Sequence, residues 1–231
     1  EGGIVPLAIS LTDIPHYLVE FSILASGSLE DHQKRPSAFG DIPSSWFEGM
    51  RLIRHLYGIG AFPENVNATS EDLTTSLFIS KKAAMLLDGS WRANGVPPEN
   101  WDSTLVLPFP VYSDKADETA IIGGTSMGFY ISRRAWEDET KRDAAVSLLH
   151  HLTKEESKAK FGLNFGGKLL QSALALTRAA EENAALAFPI GDKMNLEARN
   201  YWFDQIPAIA DGSADIAQVL AQTIRRGAFD K

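Results

Sequence analysis

The chain has 231 residues, 44% hydrophobic and 23% charged, enough for one large domain or two small ones and unlike a disordered composition. Its net charge of -8 disfavours nonspecific binding to nucleic acid or anionic membranes, which need basic patches, and no apolar run is long enough to span a bilayer. The absence of cysteine excludes disulfides, cysteine–zinc sites and thiol catalysis, and suits an exported bacterial protein. Residues 1–7 lack a leading Met and a basic n-region, so the sequence is expected to be a mature piece or a fragment.

Residues 4–10 (Ile-Val-Pro-Leu-Ala-Ile-Ser) read as a strand, with Pro6 placing it at an edge or near its start. Thr12-Asp13 then precedes Ile14-Pro15, a helix-start arrangement with Pro in the first turn; Tyr17, Phe21 and Leu24 follow at helical spacing, up to about Gly27. Residues 28–42 are rich in turn formers and read as a loop, with a short strand around Ser37-Ala38-Phe39. Ser45-Trp46-Phe47-Glu48 is a capping box opening an amphipathic helix. Its stripe of Trp46, Met50, Ile53 and Tyr57 is a core face, which leaves Arg51, Arg54 and His55 on the solvated side. Residues 63–68 are linker, and a helix is predicted over 69–79 with Glu71 and Asp72 at its positive end.

Next comes the most informative stretch, Phe78-Ile79-Ser80-Lys81-Lys82-Ala83-Ala84-Met85-Leu86-Leu87-Asp88-Gly89-Ser90-Trp91. The apolar run 83–87 reads as a strand buried on both faces. Gly89-Ser90 permits a sharp exit at its carboxyl end and leaves Trp91 at the rim, where ligands bind in α/β sheets. Residues 104–107 read as a strand running into Pro108-Phe109-Pro110. Ala120-Ile121-Ile122 leads to Gly123-Gly124-Thr125-Ser126 and an alternating strand over 127–132. A long helix is predicted over 136–152 with Ala145, Leu148, Leu149 and Leu152 inward, and Thr153-Lys154-Glu155-Glu156 is a second capping box, opening a helix to about Phe161. The remainder reads as helical: 173–187 anchored by Leu174, Leu186 and Phe188, 200–210 carrying Tyr201, Trp202 and Phe203, and a last helix capped by Ser213.

Candidate chemistry is sparse. Gly124-Thr125-Ser126-Met127-Gly128 fits G-x-S-x-G, but a nucleophile elbow needs a helix directly after the serine, and here a strand pattern follows. His150 and His151 are adjacent, so on a helix they diverge by about 100° and cannot share a metal. The acid clusters fall at helix ends. No phosphate loop or dinucleotide fingerprint is present, so neither metal nor cofactor is expected. The five Trp and five Tyr exceed what a core needs, and flat rings suit the apolar faces of pyranoses.

The stretch 78–91 resembles the F-x-x-G-K-A-A-M-x-x-x-G-x-W segment of family 1 bacterial extracellular solute-binding proteins, the sugar-type receptors of ABC importers. Ser80 or Lys81 stands where that family usually has Gly, a departure expected to cost little. The strand into Pro-x-Pro, the Gly-Gly near 123, the A-x-x-L-L-x-x-L-T-x-E run over 145–155, the glycine turn over 162–167 and the closing helix are similar to the family's later part. The resemblance implies an α/β fold of periplasmic-binding-protein type II: residues 1–107 and 166–231 form the C-terminal lobe, and 108–165 belong to an N-terminal lobe whose main sheet lies outside this chain. It implies capture of a sugar or oligosaccharide between two lobes and delivery to a membrane permease, without catalysis, in an exported protein that is periplasmic or a cell-surface lipoprotein. The expected ligand-binding residues are Trp91, Gly124, Thr125, Ser126, Asp13, Tyr17, Tyr201 and Trp202, with a core Tyr and a surface His as the other reading of Tyr17 and His16. The competing readings are an α/β hydrolase built on Ser126 and a structural interaction domain. With its sheet partner absent, the segment 108–165 is expected to expose Phe129, Ile131, Leu148 and Leu149, and so to self-associate or be disordered.

Overall fold

A computed structural model describes residues 3–123, 129–154, 156–157 and 164–229. Two short parallel strands organise its amino-terminal half: β1 (Val5–Ala8) and β2 (Ala83–Leu86), in register Val5↔Ala83, Leu7↔Met85 and Ala8↔Leu86. Parallel neighbours need a long crossover, which here carries α1 (Pro15–Ser26), α2 (Leu29–Gln33), α3 (Ser44–Gly58) and α4 (Glu71–Ile79). The expected two-face burial of β2 is not found: Ala83 is buried, but Ala84 and Met85 are exposed, because this sheet has only two strands among the described residues. The turn into β2 also corrects an expectation. Lys81 has φ 60°, the left-handed region that glycine occupies freely, so a lysine there costs about 1–2 kcal/mol.

Helix α1 is the centre of the molecule. Leu18, Val19, Ile23 and Leu24 are buried on several sides of it, so it is covered almost all round. It crosses α3 closely at Gly49, where a β-carbon would sit 2.8 Å from the backbone nitrogen of Ile23. Trp46, Met50 and Ile53 of α3 are buried as their spacing predicts. The capping box at Ser45 does not form. The helix begins at Ser44 after Pro43, and the Ser45 hydroxyl, inside the first turn, has no hydrogen-bond partner among the described residues. Arg54 is not simply solvated, since its guanidinium donates to the carbonyls of Ile209 (2.9 Å) and Ala214 (2.7 Å).

Residues 28–42 hold a helix rather than a loop with a strand. Ser28 caps α2 by accepting from the Asp31 amide, and residues 39–41 form one 3-10 turn. The tie that fixes α2 is buried. His32 (0% exposed) and Glu20 of α1 (2% exposed) meet at 2.8 Å, and the other Glu20 oxygen accepts from the Gly191 amide at 3.0 Å. The Gln33 amide nitrogen, 2.8 Å from His32 Nδ1 and 2.9 Å from the Phe188 carbonyl, can only donate. His32 therefore accepts at Nδ1, and its hydrogen sits on Nε2, facing Glu20.

Residues 104–107 are not a strand: the Val106 amide is taken by the Ser172 hydroxyl at 2.9 Å, and Leu105 and Leu107 are exposed. The chain then docks on the end of α1, with Phe109 stacked on Phe21 at 5.7 Å and the amides of Tyr112 and Ser113 both donating to the Ala25 carbonyl. A second parallel pair follows, β3 (Ile121–Ile122) with β4 (Leu186–Ala187), so the carboxyl-terminal part is not wholly helical. Residues 129–132 form no strand. The predicted long helix is two, α5 (Arg133–Glu137) and α6 (Glu139–Leu152), separated where Asp138 caps the second. No residue of α5 or α6 is buried, and Leu148 is 58% exposed. Phe129 is exposed too, while Ile131 and Leu149 are half-covered. Thr153, the first residue of the second capping box, closes α6, its hydroxyl donating to the Leu149 carbonyl at 2.9 Å, and Glu155 lies outside the described residues. Of the glycine turn, residues 164–167 are described, with Gly167 in the left-handed region at φ 59°.

Helix α7 (Gly167–Glu182) buries Leu169 with Val96 and Phe165, whereas Leu174, Leu186 and Phe188, the expected anchors, are exposed. The returning chain forms α8 (Leu196–Asp204), α9 (Ile206–Ala210) and α10 (Ile216–Arg225); Asp215, not Ser213, caps the last by accepting from the Gln218 amide. Trp202, Ile206, Ile209 and Leu220 close one core with α1 and α3.

Glu20→Ala is expected to lower stability by about 2–6 kcal/mol, because it strands two donors, the His32 N–H and the Gly191 amide, in the interior. Urea unfolding followed by circular dichroism checks this, and an unchanged midpoint would show that the network contributes nothing.

Candidate functional site

Because β1 and β2 run parallel, both chains leave the sheet at the same edge, and the two exits build one rim. Beyond β1, the Ser10 hydroxyl accepts from the amides of Thr12 (3.3 Å) and Asp13 (3.0 Å), turning the chain into α1. The first turn of α1 presents His16 and Tyr17. Beyond β2, Asp88 accepts from the Gly89 amide at 2.6 Å, and a 3-10 segment (Ser90–Gly95) carries Trp91.

These exits bring two expected site residues together. The Tyr17 and Trp91 rings lie 6.1 Å apart at 55°, with Trp91 48% exposed. His16 is 4.2 Å from Tyr17 and 5.9 Å from Phe203. Charge borders this strip. Arg92 donates to Asp88 at 3.2 Å, pairs with Glu71, and lies 3.6 Å from Asp72. Asp13 is beside them but already engaged: its Oδ2 accepts from the Glu71 amide at 3.1 Å, helping Ser70 cap α4. That use answers why an acid follows the β1 exit, and leaves only part of the carboxylate for a ligand.

Burial governs titration here. The Tyr17 hydroxyl is pushed up to about 12, first by burial and then by the negative charges of Asp88 and Glu71, so it remains a donor at neutral pH. Burial also raises Asp88, whose side chain is 2% exposed, against the opposing pull of the Gly89 amide and Arg92. His16 is lowered, chiefly by burial, so its uncharged form is favoured. The rim thus offers flat apolar rings and a phenol donor, with part of the Asp13 carboxylate left to accept, the combination that suits a polyhydroxylated ring. Among the described residues no group of three or more His, Cys, Asp or Glu is arranged to hold a metal ion.

Trp202 does not belong to this rim. It is 0% exposed and stacked on Trp46 at 5.2 Å and 13°, which leaves it no face for a ligand. Tyr201 has the Arg226 guanidinium over its ring at 3.8 Å. The aromatic that α8 does send toward the rim is Phe203, not singled out from the sequence. Once Trp202 is fixed inward against Trp46, the next residue is rotated by about 100°, toward α1. Gly124, Thr125 and Ser126 lie outside the described residues. An open cavity of about 410 Å³ lies away from the aromatic rim, lined by Ser26, Gly27, Ser45, Tyr112 and Lys115 among others.

No protein-family model and no curated protein sequence matches this chain. Solved structures do. A chitin oligosaccharide binding protein superposes with a TM-score of 0.72 at 15% identity, over 96% of this chain and 59% of its own. A probable secreted solute-binding lipoprotein from Streptomyces coelicolor gives 0.63 at 18% identity, with the same coverage of 96% and 59%. The chain therefore spans 59% of the length of each, and at these identities the likeness is one of fold: part of a periplasmic-binding-type α/β fold, rich in helix. Both neighbours are binding proteins by their descriptions.

Lowered His16 has a consequence for stability. The folded protein binds its proton less readily than the unfolded chain, so its contribution is present above the unfolded value of 6.5 and is lost as pH falls through the folded value. His16→Gln is expected to flatten the fall in melting temperature on acidification from pH 7. An identical pH profile in both proteins would contradict this.

Proposed function

We propose that this chain is ligand-binding machinery of a sugar-capturing solute-binding protein that serves an ABC importer. The observation that carries the reading is Trp91, half-exposed beside Tyr17 at the shared exit of two parallel strands. A neighbour described as binding chitin oligosaccharide supports a sugar as ligand. In this reading residues 1–107 and 166–231 form one lobe and 108–165 belong to a second, and a neutral oligosaccharide is held as the lobes close about a hinge. Delivery is to a membrane permease, from the periplasm or from a lipoprotein at the cell surface. Among the described residues no helix is long and apolar enough to cross a membrane. Binding requires no cofactor and breaks no bond.

One lobe presents half a site, open to water, where polar contacts to sugar hydroxyls compete with solvent and gain little. The exposed Tyr130, Trp136 and Leu148 offer apolar surface for association with a second chain. Weak affinity for neutral oligosaccharides, with concentration-dependent self-association, is therefore expected of the 231 residues alone, as read by calorimetry and sedimentation. Micromolar affinity in a strictly monomeric chain would contradict the half-site. Stoichiometric labelling of Ser126 by a serine-reactive phosphonate, with no heat from any oligosaccharide, would favour the hydrolase instead.

A further inference from the structure

Gly89 has φ -76° and ψ 158°, an extended conformation open to any residue, so the backbone does not require glycine there. Its neighbour does. A β-carbon at 89 would fall inside the van der Waals envelope of Cη2, Cζ2 and Cζ3 of Trp91, whose six-membered ring occupies the space that a side chain at 89 would need. The turn beneath is tightly closed: the Gly89 amide donates to Asp88 Oδ1 (2.6 Å), the Arg92 amide donates to the Gly89 carbonyl (3.0 Å), and Arg92 Nε donates to Asp88 Oδ2 (3.2 Å). One side of the indole is thus seated on a fixed backbone while Trp91 keeps 48% of its surface exposed.

We infer that Gly89 is a positioning residue that sets the plane of Trp91, seating the indole on bare backbone so that its outer face meets the apolar face of a pyranose. This rests on the reading of Trp91 as a ligand platform. The backbone is the rigid partner: Asp88 and Arg92 hold residue 89 in place, so an added methyl cannot be relieved by moving the turn and instead swings the indole. A Phe at 91 lacks the outer benzo atoms that touch Gly89, so the two positions are expected to be coupled.

The test uses the full chain, with the indole N–H signals of its five tryptophans followed by ¹H–¹⁵N NMR and the Trp91 signal identified by its loss in Trp91→Phe. Gly89→Ala is expected to shift the Trp91 signal and leave the other four in place, with melting temperature unchanged. Titration with N,N′,N″-triacetylchitotriose at millimolar concentration is expected to show affinity weakened about tenfold, roughly the worth of one aromatic contact. In the Trp91→Phe background, Gly89→Ala is expected to add nothing. A Trp91 signal unmoved by Gly89→Ala, or an equal loss of affinity in both backgrounds, overturns the inference. If the trisaccharide moves no signal in the wild type, the sugar reading fails, and the Trp91 shift alone still decides whether Gly89 seats the ring.

Discussion

A single buried carboxylate ties together three parts of the chain that are far apart in sequence. Glu20 lies in the middle of α1, accepts from His32 of α2 with one oxygen, and from the Gly191 amide of the returning chain with the other. Polar oxygens at that depth are tolerated only when they are matched by donors, so the position of each partner is strongly constrained. Gln33 extends the network to both the carbonyl and the amide of Phe188, and Lys193 donates to Gln33 at 2.9 Å. The return of the chain over residues 188–193 is thereby pinned against the helix that packs on α3 and carries His16 and Tyr17 to the rim.

From that anchored core, rings lead outward to the rim. Trp46 stacks on Trp202 at 5.2 Å, Trp202 on Phe203 at 5.8 Å, Phe203 approaches His16 at 5.9 Å, His16 meets Tyr17 at 4.2 Å, and Tyr17 meets Trp91 at 6.1 Å. The inner rings have no access to a ligand but decide where the outer ones stand. Trp91 is therefore supported on one side by the ring series and beneath by the backbone at Gly89.

Much of this was legible along the chain where local chemistry and burial agree. The Ser70 cap with Glu71 and Asp72 announces α4, the Trp46-Met50-Ile53 stripe announces a core helix, and the run after Lys82 announces β2 and the exposed Trp91. What was not legible depends on partners distant in sequence. Helix α2 is held by a contact between His32 and Glu20, and strands β3 and β4 are two residues each and exist only as a pair. Trp202 and Phe203 are adjacent, and which of them faces inward is settled by Trp46, not by their own helix. The Ser45 box failed because the helix starts two residues early, after Pro43, and the left-handed Lys81 shows a turn geometry kept without its usual glycine.

In the proposed function the outer rings of this series, Tyr17 and Trp91, receive the apolar face of a sugar. Saturation-transfer difference NMR tests it directly, since aromatic protons irradiated in the protein transfer magnetisation only to ligand protons in contact with them. Transfer is expected to concentrate on the ring C–H protons along one face of a neutral oligosaccharide, and to be lost in Trp91→Ala. Transfer that is spread evenly over the ligand, or that persists unchanged in Trp91→Ala, would contradict it.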